Sequence, residues 1–263
     1  MPRITSPDNP RLKQAVRLIA SSRDRRKAGL CVLEGAHLIA AYIEGHGAPE
    51  TVIVVDVAAD TPASRTLLAR VPPSRILTIS GATWTELTQL PLEVAVLAVV
   101  PTPDPKPGRA ADFCLLLEDL QDPGNVGSIL RTAAAAGVAQ VFMSRRCAFA
   151  WSPKVLRAGQ GGHFQLEIFE NIDLVAWAQN YRGTTVAAVA AGGESLYTTD
   201  LRGPIAVAVG NEGTGLTDEF RRAASRRVTI PMPGNFESLN AAAAAAICLF
   251  ECVRQHSAGT ARR

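Results

Sequence analysis

Absences set the first limits on this 263-residue chain. Its five cysteines, Cys31, Cys114, Cys147, Cys248 and Cys252, form an odd set with no CxxC pair. A disulfide framework is therefore not expected, and a reducing, cytoplasmic setting is. Four scattered histidines, His37, His46, His163 and His256, lack metal-ligand spacing, so no metal is expected. Hydrophobic runs are short: Val94–Val100 falls far below bilayer length, and the amino terminus is charged, without an apolar h-region. A soluble protein with no membrane partner and no export signal is expected. Charged residues make up only 19% against 47% apolar, which supplies a real core and excludes a mainly disordered or fibrous chain. At this length two compact units are expected.

Lysine is scarce, four of 27 basic residues, and the basic charge is uneven. Residues 1–27 carry eight basic side chains against Asp8 and Asp24, a net +6, which leaves −3 for the remainder. Such a cluster, with Arg23, Arg25, Arg26 and Lys27 at its centre, can neutralise phosphates and is a candidate nucleic-acid contact. An ordinary solvated helix face explains it equally well.

One break organises the chain. Pro101, Pro103, Pro105 and Pro107 alternate through a stretch that reads as an extended connector outside any sheet or helix, so residues 101–111 are expected to link a domain 1–100 to a domain 112–263. Before the break, Asn9–Ala20 and Val32–Glu44 read as helices, with further helical stretches near 63–70 and 82–90. Thr51–Val55, Arg75–Ser80 and Val94–Val100 read as strands. After it, strand-like runs at Phe113–Leu117, Gln140–Ser144, Leu166–Phe169, Thr184–Val189, Ile205–Val209 and Arg227–Pro231 alternate with helical segments. The fold class is therefore α/β, with a small alternating domain ahead of a mostly parallel sheet covered by helices.

Three segments of the second domain carry more than a fold needs. In the first, Leu117–Gly137, a strand ends in a turn and opens into a helix that Asn125 is placed to cap. Val126, Ile129, Leu130, Ala133 and Ala134 form its buried stripe and leave Arg131 displayed near a strand's carboxyl edge. The second, Ile205–Leu216, runs a buried strand into Gly210, Gly213 and Gly215, with Glu212 between two of them and Thr217 capping the next helix. Its spacing is not GxGxxG, which disfavours a dinucleotide site. The third, Val228–Phe250, passes an irregular Pro-Met-Pro-Gly loop into six alanines. Ser238 is placed to cap that helix, and Asn240 suits a ligand or a backbone hydrogen bond better than helix propensity.

These segments, DPGNVGSILRTAAAAGV, AVGNEGTGL and IPMPGNFESLNAAAAAAI, resemble in order and spacing the three motifs of the SpoU (TrmH) family of RNA ribose 2′-O-methyltransferases in the SPOUT superfamily. Ser152–Phe164 is similar to the family's intervening stretch, and the basic front followed by CVLEGAHLI resembles an L30e-like substrate-binding domain. The resemblance implies a trefoil-knotted catalytic domain, a departure from the usual absence of knots. It implies S-adenosylmethionine as cofactor, with Gly210, Ile230 and Leu239 at cofactor-contacting positions and Met232 close by. Asn125, Arg131, Glu212, Ser238 and Asn240 match the polar positions around the ribose, with Arg131 activating the 2′-hydroxyl. A homodimer with a shared active site is also implied, as is an RNA substrate, ribosomal RNA (23S) favoured over transfer RNA. Two readings stay open beside it: a non-catalytic RNA-binding factor on the same fold, and a nucleotide-cofactor oxidoreductase.

Overall fold

The computed structural model describes residues 8–260 except 89, 93, 94, 107, 235 and 236. Arg3 of the basic front, Gln89 and Val94 of predicted elements, Pro107 of the proline stretch, and Asn235 and Phe236 of the third segment lie outside them.

The elements run α1 (Pro10–Ala20), α2 (Ser22–Ala28), β1 (Leu30–Glu34), α3 (Ala36–His46), β2 (Thr51–Val55), α4 (Asp56–Ala59), α5 (Pro62–Leu68), β3 (Ile76–Ile79), α6 (Gly81–Leu87) and β4 (Val96–Pro101). They continue with β5 (Phe113–Leu117), α7 (Pro123–Ala135), β6 (Gln140–Met143), α8 (Pro153–Gly159), β7 (Glu167–Phe169), α9 (Leu174–Asn180), β8 (Thr184–Ala188), β9 (Glu194–Ser195), β10 (Ile205–Val209), α10 (Asp218–Ala223), β11 (Arg226–Thr229) and α11 (Ala241–Thr260). The chain divides into two compact units, residues 1–103 with 151–164, and 104–150 with 165–263. The break falls inside the predicted connector, but 151–164 belongs to the first unit rather than to a continuous 112–263 block.

The first unit is a four-stranded sheet in the order β1-β4-β2-β3, antiparallel except for β2 with β3. Asn9 starts α1 by accepting hydrogen bonds from the Arg11 and Leu12 amides, Pro10 presets the first turn, and Leu12, Ala15 and Leu18 at helical spacing press into the core around Trp84. Two expectations change here. Val32–Glu44 is not one helix: Leu30–Glu34 is a strand buried on both faces, and Gly35 at φ +90° turns the chain into α3. A short apolar run reads alike as strand or buried helix, and pairing with β4 decides it. Pro101 is not outside the sheet, since it closes β4 opposite Leu30. The sequence reading also missed α2, which Ser21 caps and Gly29 ends at φ +63°. Helix α8 lies on β1, where Arg157 pairs with the buried Glu34 carboxylate at 3.2 Å.

The second unit is a seven-stranded, wholly parallel sheet in the order β7-β6-β5-β10-β8-β11-β9. Its central strand, Ile205-Ala-Val-Ala-Val, is buried throughout, as a strand covered on both faces requires. Cys114, Leu116, Ala206 and Ala208 pack with Leu174, Ala178 and Phe220 of α9 and α10, while α11 packs on α7, β10 and β8. From β5 the sheet grows outward in two directions, to β6 on one side and β10 on the other. The carboxyl ends of β5 and β10 therefore bound a switch-point crevice, where open α/β sheets place ligands.

Candidate active site

Three loops meet at that crevice, and side chains tie them together. Helix α7 begins at Asp122, whose Oδ1 accepts the Asn125 amide at 2.7 Å, with Pro123 at the first helical position. Asp122, not Asn125, is therefore the cap, because the turn starts three residues earlier than the hydrophobic stripe implies. The Asn125 side chain is thereby free to bridge the other two segments. Its Nδ2 donates to Glu212 at 3.1 Å, and its Oδ1 accepts from Asn240 Nδ2 at 2.9 Å. The Glu212 carboxylate also accepts the amides of Gln121 and Asp122 at 3.3 and 3.1 Å. Partial burial pushes its carboxyl up, but the hydrogen bonds from Asn125 and these backbone amides outweigh that and hold it below the usual carboxylate range.

Asn240 carries the network into the third segment. Its Oδ1 accepts the Ala242 and Ala243 amides at 2.9 and 3.3 Å, so Asn240 caps α11 and Ser238, two residues earlier, does not. Both amide orientations follow from chemistry, since a carboxylate only accepts and a backbone N–H only donates. Each amide nitrogen spends one of its two N–H bonds in the network, and the second N–H of Asn125 and of Asn240 has no partner among the described residues, which leaves it for a ligand.

Residues that the sequence reading passed over hold the loops. Asn211 Nδ2 donates to the Asp119 carbonyl at 2.8 Å, and its Oδ1 accepts the amides of Gly213 and Thr214. Glu118 receives both the amide and the hydroxyl of Thr217, at 2.7 and 2.8 Å. Asp119 sits in left-handed backbone at φ +56°, its carboxylate held by Ser144 at 2.6 Å and by Arg146. Acids crowded at a strand end were the available signal. At Gly210 a Cβ would meet the backbone of Gly215 and Leu216 at 2.3 Å, so only glycine closes this loop.

Beside the network opens a cavity of about 400 Å³, lined by residues 188–191 and 209–216 and by segments of the third loop. Gly210, Glu212, Ile230, Met232, Ser238 and Leu239 all line it. Arg131 does not. It is exposed on the stripe of α7 shared with Gly124, Ser128 and Ala135, and it has no hydrogen-bond or ion-pair partner among the described residues. The basic front also divides. Arg23, Arg26 and Lys27 are exposed, but Arg25 is 4% exposed, and its guanidinium donates to the carbonyls of Leu18 and Ile19 and to Ser22 Oγ. It closes the carboxyl end of α1 and is withdrawn from the expected RNA contacts.

Residues 112–250 match the model of the SpoU rRNA Methylase family. An uncharacterized tRNA/rRNA methyltransferase of Synechocystis sp. is 32% identical, the match covering 98% of this chain and 95% of that protein. The 23S rRNA (uridine(2479)-2′-O)-methyltransferase of Streptomyces viridochromogenes is 30% identical over 98% and 93% of the two chains. The crystal structure of the SpoU methyltransferase AviRb from the same organism, in complex with AdoMet, superposes with a TM-score of 0.81 at 29% identity, covering 94% of this chain and 98% of that one.

Proposed function

The chain belongs to the SpoU rRNA Methylase family and transfers the methyl group of S-adenosylmethionine to a ribose 2′-hydroxyl of RNA; we propose that this RNA is 23S ribosomal RNA, and that the residues joined at the crevice bind the ribose. The carrying observation is the chain of hydrogen bonds from Glu212 through Asn125 to Asn240, which brings all three segments to one point beside the cavity. The residues present fit the cofactor. The cavity has the volume of a nucleoside-sized site, walled by small apolar side chains and loop backbone around Gly210, Ile230, Met232 and Leu239. When bound, S-adenosylmethionine supplies an electrophilic methyl group on a sulfonium sulfur.

The chain's own residues supply alignment. Glu212, ionised, fixes the Asn125 amide, Asn125 fixes Asn240, and the spare N–H of each points the ribose for an in-line attack. Ser238, on the cavity wall, adds a hydroxyl. Arg131 activates the 2′-hydroxyl. Because it stands off the cavity of its own chain, the reading includes a homodimer built on α7 and α11, with Arg131 completing the site of the second copy. Exposed Arg131 and Phe250 on these helices support that arrangement. The first unit serves as an L30e-like RNA-binding domain, with Arg23, Arg26 and Lys27 on the phosphate backbone. Among the described residues no helix is long and apolar enough to cross a membrane. An RNA substrate supports work in the cytoplasm. A 23S-directed relative matched along nearly the whole chain supports ribosomal over transfer RNA.

Methyl transfer from tritiated S-adenosylmethionine tests the reading, with unmodified 23S rRNA and bulk tRNA offered separately and the product mapped for 2′-O-methyl. Label in 23S rRNA alone is expected. Label confined to tRNA overturns the substrate assignment.

A further inference from the structure

A second concavity, of about 420 Å³, lies next to the first, between the turn at 192–194 and the α10–β11 corner. Four arginines line it, Arg221, Arg222, Arg226 and Arg227, together with one carboxylate, Glu194. The concentration is not a property of the unit. Outside these four, residues 104–150 and 165–263 carry ten basic side chains and fifteen acidic ones. Two of the four are neutralised within the chain: Arg221 pairs with Asp218, and Arg226 with Glu194 at 3.2 Å. Arg222 and Arg227 are exposed and have no hydrogen-bond or ion-pair partner among the described residues.

The cleft is built as well as charged. The Gly193 amide donates to Thr229 Oγ1 at 3.0 Å, and a Cβ at Gly193 would meet the backbone of Arg227 and Val228 at 2.7–2.9 Å. Backbone therefore lies flat on backbone there, which keeps the 192–194 wall low beside the guanidinium groups. Gly192, at φ +76°, turns the chain into that wall. Arg221 lines both concavities, and residues 188–191 of the first run directly into 192–194 of the second. The cavity that fits the cofactor thus has the arginine cleft as its neighbour, and the nucleotide that receives the methyl group must lie against that cofactor.

We propose that this cleft is a phosphodiester-binding subsite of the catalytic unit, in which Arg222 and Arg227 hold the RNA backbone next to the nucleotide being methylated. A planar guanidinium matches two phosphate oxygens with paired N–H bonds, and two uncompensated guanidinium groups in one concavity focus the field that draws a polyanion in. The inference rests on the methyltransferase reading for its substrate but uses none of the residues assigned to ribose or cofactor.

The test compares wild type with Arg222→Ala/Arg227→Ala and Arg222→Lys/Arg227→Lys, using 23S rRNA transcribed in vitro as the probe. For each, the RNA Kd is followed across a salt series, kcat and KM are measured for methyl transfer, and S-adenosylmethionine affinity is read by calorimetry. The alanine pair is expected to raise the RNA KM and Kd about tenfold and to flatten the log–log salt slope by one to two, roughly 0.7–0.9 for each phosphate no longer neutralised. Its kcat and cofactor affinity are expected to stay at wild-type values. The lysine pair, which keeps the charge and loses the fork, should retain the slope with a smaller loss of affinity. An unchanged slope and KM in the alanine pair overturns the subsite, as does a loss of cofactor affinity that accounts for the whole defect. A wild type that transfers no methyl group, with a salt slope that still depends on the arginine pair, overturns the methyltransferase reading and leaves the subsite standing.

Discussion

Arg25 of the first unit and Arg131 of the other are both helical arginines, on α2 and α7, and the fold uses them in opposite ways. Arg25 turns inward and satisfies the last carbonyls of α1. Arg131 stands exposed on α7 without a partner among the described residues. The same division runs through the acids. Glu34 is buried opposite Arg157, and burial raises its carboxyl above the usual range, with Arg157 and Arg25 pulling only partly against it. Glu212 lies among donors that hold its carboxyl down despite partial burial. Polar groups of the first unit close its own helix ends, while those of the second gather at the carboxyl edge of a sheet and leave donors unused. An arginine's role is thus fixed by whether an unpaired carbonyl lies within its reach, not by its sequence neighbours.

The largest effect should come from breaking the loop that makes the second unit's gathering possible. Gly210→Val should drive a side chain into the Gly215–Leu216 backbone, abolish cofactor binding and lower the thermal midpoint by many degrees. Gly213→Ala, whose Cβ meets only Asn211 Oδ1 at 3.6 Å, should leave both nearly unchanged in calorimetry. Because Gly210→Val harms folding, mixed-dimer tests of a shared site need a cofactor-defective partner altered elsewhere, for instance at Leu239.

Next in size, Glu212→Gln should lower kcat about a hundredfold with a cofactor Kd close to wild type, since the amide cannot accept all the donors the carboxylate holds and Asn125 loses its anchor. A fall in cofactor affinity with kcat unchanged would move Glu212 from the ribose to the cofactor.

Smaller again, Arg25→Ala should cost about 1–3 kcal/mol in denaturant unfolding by leaving buried carbonyls unpaired. It should not change the salt dependence of RNA binding. The triple change Arg23→Ala, Arg26→Ala, Lys27→Ala should do the reverse, flattening the log–log slope by about two at unchanged stability. Equal slopes in the two variants would erase the difference between buried and exposed basic residues.

The smallest effect separates the two glutamates by pH. Glu212 has a folded pKa below its unfolded one, so its contribution is complete above the ordinary value of about 4.3 and disappears as pH falls through the folded value. Glu34 has a folded pKa above its unfolded one, so the sign reverses: stability falls as pH rises from about 4.3 through the raised value. Unfolding free energy followed over this range should therefore lose opposite slopes in Glu212→Gln and Glu34→Gln.

What the sequence showed was local. The stripe Val126, Ile129, Leu130, Ala133 announced α7, and Pro-Gly punctuation marked the loops. Two caps were misplaced by two or three residues, because Asp122 and Asn125, or Ser238 and Asn240, are equally good capping types and only the backbone path chooses between them. The network itself was not legible as contacts, for Asn125 reaches residues 87 and 115 positions away. Such pairings become visible only when the sheet order sets β5 beside β10. The resemblance named candidate site residues, and the structure supplied which of them touch.

Whether Arg131, which has no partner among the described residues, serves the chemistry is decided by methyl transfer in Arg131→Ala and Arg131→Lys. Arg131 lies off the buried stripe and both replacements are good helix formers, so fold and cofactor affinity should match wild type. Alanine should abolish turnover, and lysine, with the charge but without the planar fork, should fall about a hundredfold or more. Full activity in Arg131→Ala, with cofactor binding intact, would contradict the assignment of this arginine to the 2′-hydroxyl.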